Sequence, residues 1–213
     1  MEAGIPTTEQ QPDEVVVKRI LLGEKKLYEL IVRRYNQRLF RIGMTMLGIE
    51  TEAEDAMQES YINAYKQLAG FEHRSSFGTW LTRIMINECI VRQKKKQRSK
   101  QAMEQQPNHI AISNPPDHAL ANKELAAVLQ QAIQQLPDKY RLIFVLREIE
   151  HLSVRQASEV TGIEESNVKV RLNRAKLMLR ETLGGSLKDH IYSFHLSRCD
   201  AMVGRVFQSL EID

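Results

Sequence analysis

Hydroxyl, amide and cationic side chains cluster at the start of a predicted helix in the last third of the chain. Ser166 and Asn167 come first, and Lys169, Arg171 and Arg174 follow. An asparagine amide can bind the edge of adenine through two hydrogen bonds, whereas lysine and arginine commonly bind phosphates. The pattern predicts a DNA-binding helix in which the first two residues read bases, whereas these three cations and Lys176 hold the backbone.

A second candidate site combines aromatic rings with cations. The predicted polar loop 70–76 contains Phe71, a histidine and an arginine, and six basic residues lie within 92–100. Aromatic rings and arginine planes stack on unpaired bases, while cations follow the phosphate backbone. The combination predicts contact with single-stranded nucleic acid. Phe77 and Trp80 have helical spacing and are expected in the core, whereas Phe71 fits either role.

Charged residues occur in blocks of one sign. The net charge is only +3, yet residues 50–59 hold five acidic side chains and no basic one. Residues 169–180 hold five basic side chains and no acidic one. Surfaces of opposite sign predict two kinds of partner, one of them a polyanion. For each block taken alone, the alternative is a solvated helix face.

The predicted DNA-binding helix follows a short helix and a tight turn. Ser153 and Gln156 form a capping-box pattern, Ala157 permits a close helix crossing, and Gly162 supplies the turn. The basic helix then spans about residues 164–183. Two helices joined by a glycine turn, the second basic and amphipathic, are typical of the helix-turn-helix that places a helix in the major groove.

Apolar residues recur every three or four positions along most of the chain, which predicts an all-α fold. Gly48 is expected to end one helix, Thr51 with Glu54 to cap the next, and Gly184-Gly185 to close the last domain. A polar segment that contains the consecutive prolines Pro115-Pro116 predicts a flexible linker between two small helical domains, the second containing the helix-turn-helix. The predicted parts are a disordered leader at 1–13, a first domain at 14–97, the linker at 98–117, a second domain at 118–184 and a C-terminal helical extension at 185–213.

Composition and motif content exclude several classes of function. No apolar run approaches the roughly 18 residues that a membrane span needs, and two cysteines cannot form a disulfide framework. We therefore expect a cytoplasmic location without membrane insertion. No phosphate-binding glycine loop, paired metal carboxylates or nucleophile elbow occurs, so no catalytic residue, metal or cofactor is predicted. His195 and Cys199 could form half a zinc site, but an exposed histidine and a buried cysteine are favoured.

Several segments in series resemble one protein family. Residues 52–61, with the sequence EAEDAMQESY, look like region 2.2 of the extracytoplasmic-function (ECF) sigma factors, which belong to the sigma-70 family. Residues 71–87 look like regions 2.3 and 2.4. Residues 136–148 look like region 4.1, and 152–180 like region 4.2. The matches occur in the order expected for the family and cover both predicted domains.

The resemblance implies a transcription initiation factor without catalytic activity of its own. It also implies core RNA polymerase, promoter DNA and an anti-sigma factor as partners. The residues expected to bind polymerase are Asp55, Gln58, Glu59 and Tyr65. The residues expected to hold melted −10 DNA are Phe71, His73, Arg74, Ser75, Ser76, Arg83, Asn87, Arg92, Lys94 and Lys95. The residues expected to read the duplex −35 element are Ser166, Asn167, Lys169, Arg171 and Arg174.

The sequence departs from the family pattern within the DNA-reading helix. Ser166-Asn167 replaces a frequent Gly-Thr pair, and Val170 replaces a frequent small polar residue. These differences leave the −35 sequence open. The alternative function is a two-domain helix-turn-helix regulator that does not deliver DNA to polymerase. The acidic block at 50–59 and the motif at 71–87 disfavour it, because a simple regulator requires neither.

Overall fold

The computed structural model describes residues 11–102 and 120–188, and its regular elements in those ranges are all helical. The predicted all-α fold is therefore confirmed. Most of the predicted leader, linker and C-terminal extension lie outside the described residues. The helices are α1 (Asp13–Leu21), α2 (Tyr28–Leu47), α3 (Glu50–Lys66), α4 (Phe77–Ala102), α5 (Leu120–Gln135), α6 (Asp138–Phe144), α7 (Val154–Thr161) and α8 (Glu165–Lys188).

Helices α1 to α4 form the first unit, in which α2, α3 and α4 pack on one another. Ile31 and Leu39 of α2 belong to the same buried core as Phe77 of α4. Helix α4 begins very close to α2, because a Cβ atom placed on Gly78 would lie 2.6 Å from the hydroxyl oxygen of Tyr35. The core thus fixes the start of α4 and the loop that precedes it.

The junction between α2 and α3 confirms one predicted helix end and corrects another. Gly48 ends α2 in the left-handed conformation, with φ of 73°, and donates its N–H to the carbonyl of Met44. Helix α3 begins at Glu50, with Ile49 as its N-cap and no side-chain cap. The predicted capping box of Thr51 and Glu54 is therefore wrong, because α3 starts one residue before Thr51.

Helices α5 to α8 form the second unit, which contains the helix-turn-helix. Ser153 and Gln156 cap α7 in both directions, as predicted. Gly162 lies between α7 and α8 with φ of 69°, a conformation that costs little only for glycine. Val168 of α8 packs with Ala157 of α7 in a small buried cluster, which sets the crossing of the two helices.

Two helices continue past the boundaries expected from sequence. Helix α4 runs to Ala102, beyond the expected end of the first domain at residue 97. Helix α8 passes through Gly184-Gly185 and ends at Lys188, so the prediction that this glycine pair closes the domain is wrong. A glycine inside a helix costs about 1 kcal/mol but does not end the helix unless the next residues also leave it.

The two units pack against each other, with α7 on α4 and α6 on α2. Leu146, Leu152 and Val160 of the second unit belong to the buried core of the first. Burying apolar surface of this kind stabilises a contact by about 25 cal/mol per Å². The sequence predicts two domains and a linker but does not predict this interface.

Polar contacts reinforce the interface between the two units. The buried carboxylate of Glu150 lies 3.2 Å from Nε of Arg38 and 3.1 Å from Nε of Arg41. The side-chain amide of Gln156 donates to the hydroxyl of Thr79 at 3.2 Å. A charge buried in this way is stable only while its partners remain in place.

Candidate nucleic-acid interface

The basic helix α8 presents one buried face and one exposed face. Val168, Leu172 and Ala175 are buried on the inner face, as the sequence periodicity predicted. Among the predicted DNA-contacting residues, Arg171 is half-buried; the other four, Ser166, Asn167, Lys169 and Arg174, are exposed. The structure therefore brings these five residues together at the N-terminal half of one helix.

Two apolar side chains lie on the exposed face of α8; the sequence singles out Val170 only as a departure from the family pattern, and Leu177 not at all. Val170 is 57% exposed and Leu177 is 49% exposed. At about 100° of rotation per residue, both lie nearly opposite the buried Val168, Leu172 and Ala175. Their position around the helix could have predicted this exposure from sequence, because an apolar residue on the side opposite the buried stripe must face solvent.

The polar side chains of the loop 71–76 lie next to a cluster of aromatic rings. Phe71 is only 8% exposed, and its ring centroid lies 5.1 Å from Trp80 and 5.5 Å from Phe77. The Phe71 ring is therefore part of the core in this structure and is not available for stacking on a base. His73 follows with φ of 54° and is exposed, like the neighbouring Arg74.

The two serines of the loop 71–76 have local partners. Ser76 accepts a hydrogen bond from the backbone N–H of Thr79 at 3.2 Å, and the two side-chain oxygens lie 2.8 Å apart. Ser76 therefore stabilises the start of α4. The hydroxyl of Ser75 donates weakly to the Ser76 carbonyl at 3.4 Å and is half-buried. Both serines hold the loop in shape, and Ser76 remains accessible at the surface.

Exposed residues continue from the loop along one side of α4. Arg83 and Asn87 are exposed and lie one helical turn apart, and Lys94 and Lys95 are exposed further along. Arg92 differs from these, because its guanidinium lies 2.8 Å from Glu88 and 3.9 Å from Asp55. The structure groups the predicted −10 residues on one unit but directs Arg92 toward α3.

The acidic block lies on α3 and shares a face with two apolar side chains. Asp55 and Gln58 are exposed and Glu59 is half-buried. Ile62 and Tyr65 are exposed on the same face, and Ile62 was not predicted. Spacings of three and four residues bring these five side chains onto one surface about 15 Å long. An acidic surface with an apolar C-terminal end suits a protein partner better than a nucleic acid.

Tyr65 is positioned by a second tyrosine. Its ring lies 4.9 Å from that of Tyr28 in an edge-to-face arrangement. The Tyr28 hydroxyl donates to the carbonyl of Tyr61 at 2.7 Å, and burial raises the pKa of Tyr28 well above its usual range. The hydrogen bond and the ring contact make Tyr28 a fixed support for the α3 surface.

Comparison with known proteins identifies both units. The family Sigma-70 region 2 matches residues 31–99, and Sigma-70, region 4 matches residues 126–179. The ECF RNA polymerase sigma factor SigW of Bacillus subtilis is 32% identical over 176 residues, which cover 78% of this chain and 94% of that protein. The RNA polymerase sigma-H factor of Pseudomonas aeruginosa is 30% identical over 189 residues, which cover 84% of this chain and 98% of that protein.

The chain belongs to the ECF sigma factors. It is a sigma-70 family protein that directs RNA polymerase in promoter recognition and transcription initiation. The fold is shared with the sigma factor RpoE of Bartonella quintana, at a TM-score of 0.64 and 22% identity, covering 74% of this chain and 96% of that chain. It is also shared with CnrH, at a TM-score of 0.58 and 21% identity, covering 81% of this chain and 97% of that chain.

The ECF sigma factor has one described cysteine, and its thiol is inert. Cys89 is buried in the first unit, and burial raises the pKa of its thiol to about 12. The described ranges contain no cluster of three or more histidine, cysteine or acidic side chains that could hold a metal ion. His195 and Cys199 lie outside the described residues. No helix in the described ranges is long and apolar enough to cross a membrane.

Proposed function

We propose that this ECF sigma factor binds core RNA polymerase through the exposed face of α3. Asp55, Gln58 and Glu59 would contact basic groups of the polymerase, while Ile62 and Tyr65 would bury apolar area at the C-terminal end of the face. The acidic and apolar composition of this face supports the assignment. In this proposal the factor carries no catalytic activity and acts in the cytoplasm, where it assists the polymerase.

We further propose that the first unit holds melted −10 DNA. An unpaired base would be held by the polar loop, with His73, Arg74 and Ser76 at the surface and Phe71 as the buried wall behind them. Arg83, Asn87, Lys94 and Lys95 would follow the phosphate backbone along α4. Capturing an unpaired base offsets the cost of removing it from the stack, which is a few kcal/mol. Arg92 would contribute less to DNA binding, because its guanidinium pairs with Glu88 at 2.8 Å and faces Asp55 at 3.9 Å.

The −35 element would be read by α8. Ser166 and Asn167 would contact base edges, and Lys169, Arg171 and Arg174 would hold phosphates. The observation that carries the whole proposal is that the polymerase face, the −10 surface and the −35 helix are all exposed on separate elements. A helix-turn-helix regulator is not favoured, because it would need α8 but neither of the other two surfaces.

The proposal is tested by reconstitution with purified core RNA polymerase. Run-off transcription on genomic fragments should give start sites with shared −35 and −10 sequences. The isolated factor should bind duplex promoter DNA weakly, because its −10 surface requires melted DNA. Specific operator binding by the isolated protein, together with no run-off transcript, would overturn the proposal and favour a regulator.

We also infer that an anti-sigma factor binds this chain. The Bartonella quintana RpoE was crystallised with the anti-sigma factor NepR, and CnrH with the cytosolic domain of CnrY. The α3 face and the interface between the units offer surfaces for such a protein. Affinity purification of the full chain from its own cells, with and without competing core polymerase, tests the inference.

A further inference from the structure

The exposed valine of α8 lies at the centre of the surface proposed to meet DNA. A single exposed apolar residue has no special meaning on its own. Val170, however, lies between Lys169 and Arg171, which project about 100° to either side of it. Two cations that flank the helix can reach the phosphates of the two strands, and Val170 then points toward the floor of the groove.

The neighbours of Val170 on its own side of α8 are polar. Asn167 precedes it by three residues and Arg174 follows it by four, so the three side chains form one row. No acidic residue occurs between positions 166 and 180. In this position Val170 buries no apolar surface in the protein core. It can bury that surface by packing against an apolar group on DNA.

The thymine methyl group is the apolar group that a base pair presents in the major groove. We infer that Val170 is a specificity-determining residue that contacts a thymine methyl group of the −35 element. This inference rests on the proposed role of α8. Val170 and Asn167 are separated by about 4.5 Å along the helix axis, which is close to one base-pair step. The thymine should therefore lie one or two base pairs from the position that Asn167 reads.

The test compares thymine with deoxyuracil, which lacks only the methyl group. Holoenzyme is assembled from core polymerase and the full chain, and its affinity is measured on a promoter found by run-off transcription. Each −35 thymine is replaced in turn by deoxyuracil. At one position the wild-type holoenzyme should lose about fourfold in affinity, as expected for one buried methyl group. Val170→Ala should lose a similar factor on thymine DNA and nothing further on deoxyuracil DNA.

Leu177→Ala provides the matched control. Leu177 is also apolar and exposed, but it lies about 10 Å further along the helix, two turns beyond Val170. Its variant should retain the full fourfold response to the methyl group. Val170→Thr keeps one methyl group and the shape of valine, so it should retain part of the response. Thermal melting verifies that all three variants are folded.

The outcomes separate this inference from the proposed function. If transcription depends on the −35 sequence but no deoxyuracil substitution lowers the affinity, the role of Val170 is overturned and the proposed role of α8 is not. A response that persists unchanged in Val170→Ala does the same. Transcription that does not depend on the −35 sequence in any respect overturns the proposed role of α8, and the inference fails with it.

Discussion

Asn167 and Arg174 lie on the same exposed side of α8, but they differ in what they can distinguish on DNA. Asn167→Ala should change preference at one or two −35 positions, with a cost of about 1 to 3 kcal/mol for a lost bidentate contact. Arg174→Ala should weaken binding about equally on all sequences. It should also lower the slope of log affinity against log salt by about 0.9, the contribution of one phosphate contact.

The measurement is holoenzyme binding to a −35 library at several salt concentrations. Asn173→Ala is a suitable control, because Asn173 is exposed on α8 but belongs to neither set. Similar profiles for Asn167→Ala and Arg174→Ala would contradict the division between base-reading and phosphate-holding residues.

For individual residues, the sequence predicted which residue types form the site better than it predicted which side chains are buried and which are exposed. The periodicity of α8 was sufficient to separate Val168 and Ala175 from the exposed cations. Phe71 and Arg92 could not be placed in the same way. The burial of Phe71 depends on Phe77 and Trp80, and the direction of Arg92 depends on Asp55 in another helix. Contacts between elements are not encoded in local spacing.

At the scale of elements, two similar capping patterns have different outcomes. Ser153 accepts the N–H of Gln156 at 3.1 Å, whereas Thr51 lies inside the first turn of α3 and caps nothing. Ser153→Ala should therefore lower the free energy of unfolding by about 1 kcal/mol, the usual cost of a lost N-cap. Thr51→Ala should be nearly neutral. Urea denaturation of the full chain measures both, and equal effects would contradict the assignment.

The difference between the two sites shows that a capping motif requires a helix that begins at the motif, in addition to the matching residue types. Ser153 follows two non-helical residues, so the helix must begin there. Thr51 is preceded by Glu50, which is already helical, and Gly48 two residues earlier has completed the turn. Motif, turn and helix start agree at Ser153 but not at Thr51, which explains why only one of the two predictions was confirmed.

The exposed face of α3 can be tested as a unit. Asp55→Lys combined with Glu59→Lys should weaken binding to core polymerase. Helical content should not change, because neither side chain belongs to the buried core. Competition with a labelled sigma factor measures the affinity, and circular dichroism verifies the fold.

A matched control for the α3 variant is Glu14→Lys combined with Glu29→Lys, which makes the same change in net charge at exposed positions of α1 and α2. The control should bind polymerase normally. A loss of affinity shared by the two double variants would indicate a general charge effect, and an unaltered affinity of the α3 variant would remove this face from the proposed interface.

At the scale of the whole molecule, the packing of the two units conflicts with simultaneous DNA contact. The −35 and −10 positions are about 25 base pairs apart, or roughly 85 Å along straight B-DNA. A compact chain of 213 residues has a radius of gyration of about 17 Å. The units must therefore separate before both can engage one promoter. The 17 residues from 103 to 119 can span at most about 60 Å when extended.

Glu150 provides a way to test this separation. Arg38→Ala combined with Arg41→Ala leaves its carboxylate buried without a partner, which typically costs 3–5 kcal/mol. Since the two arginines belong to the first unit and Glu150 to the second, the carboxylate regains water if the units part. We expect a larger radius of gyration by small-angle scattering and polymerase affinity that is unchanged or higher, because opening no longer has to be driven by polymerase.

Arg33→Ala combined with Lys26→Ala removes the same charge from exposed positions of the first unit and should leave the scattering unchanged. The ion pair between Glu150 and Arg38 could not be predicted from sequence, because the two residues are 112 positions apart and neither lies in a recognisable motif. A double arginine variant that is as compact as wild type would show that apolar contacts of Leu146, Leu152 and Val160 hold the units together without the ion pairs. Opening would then depend on a partner that competes for those apolar surfaces.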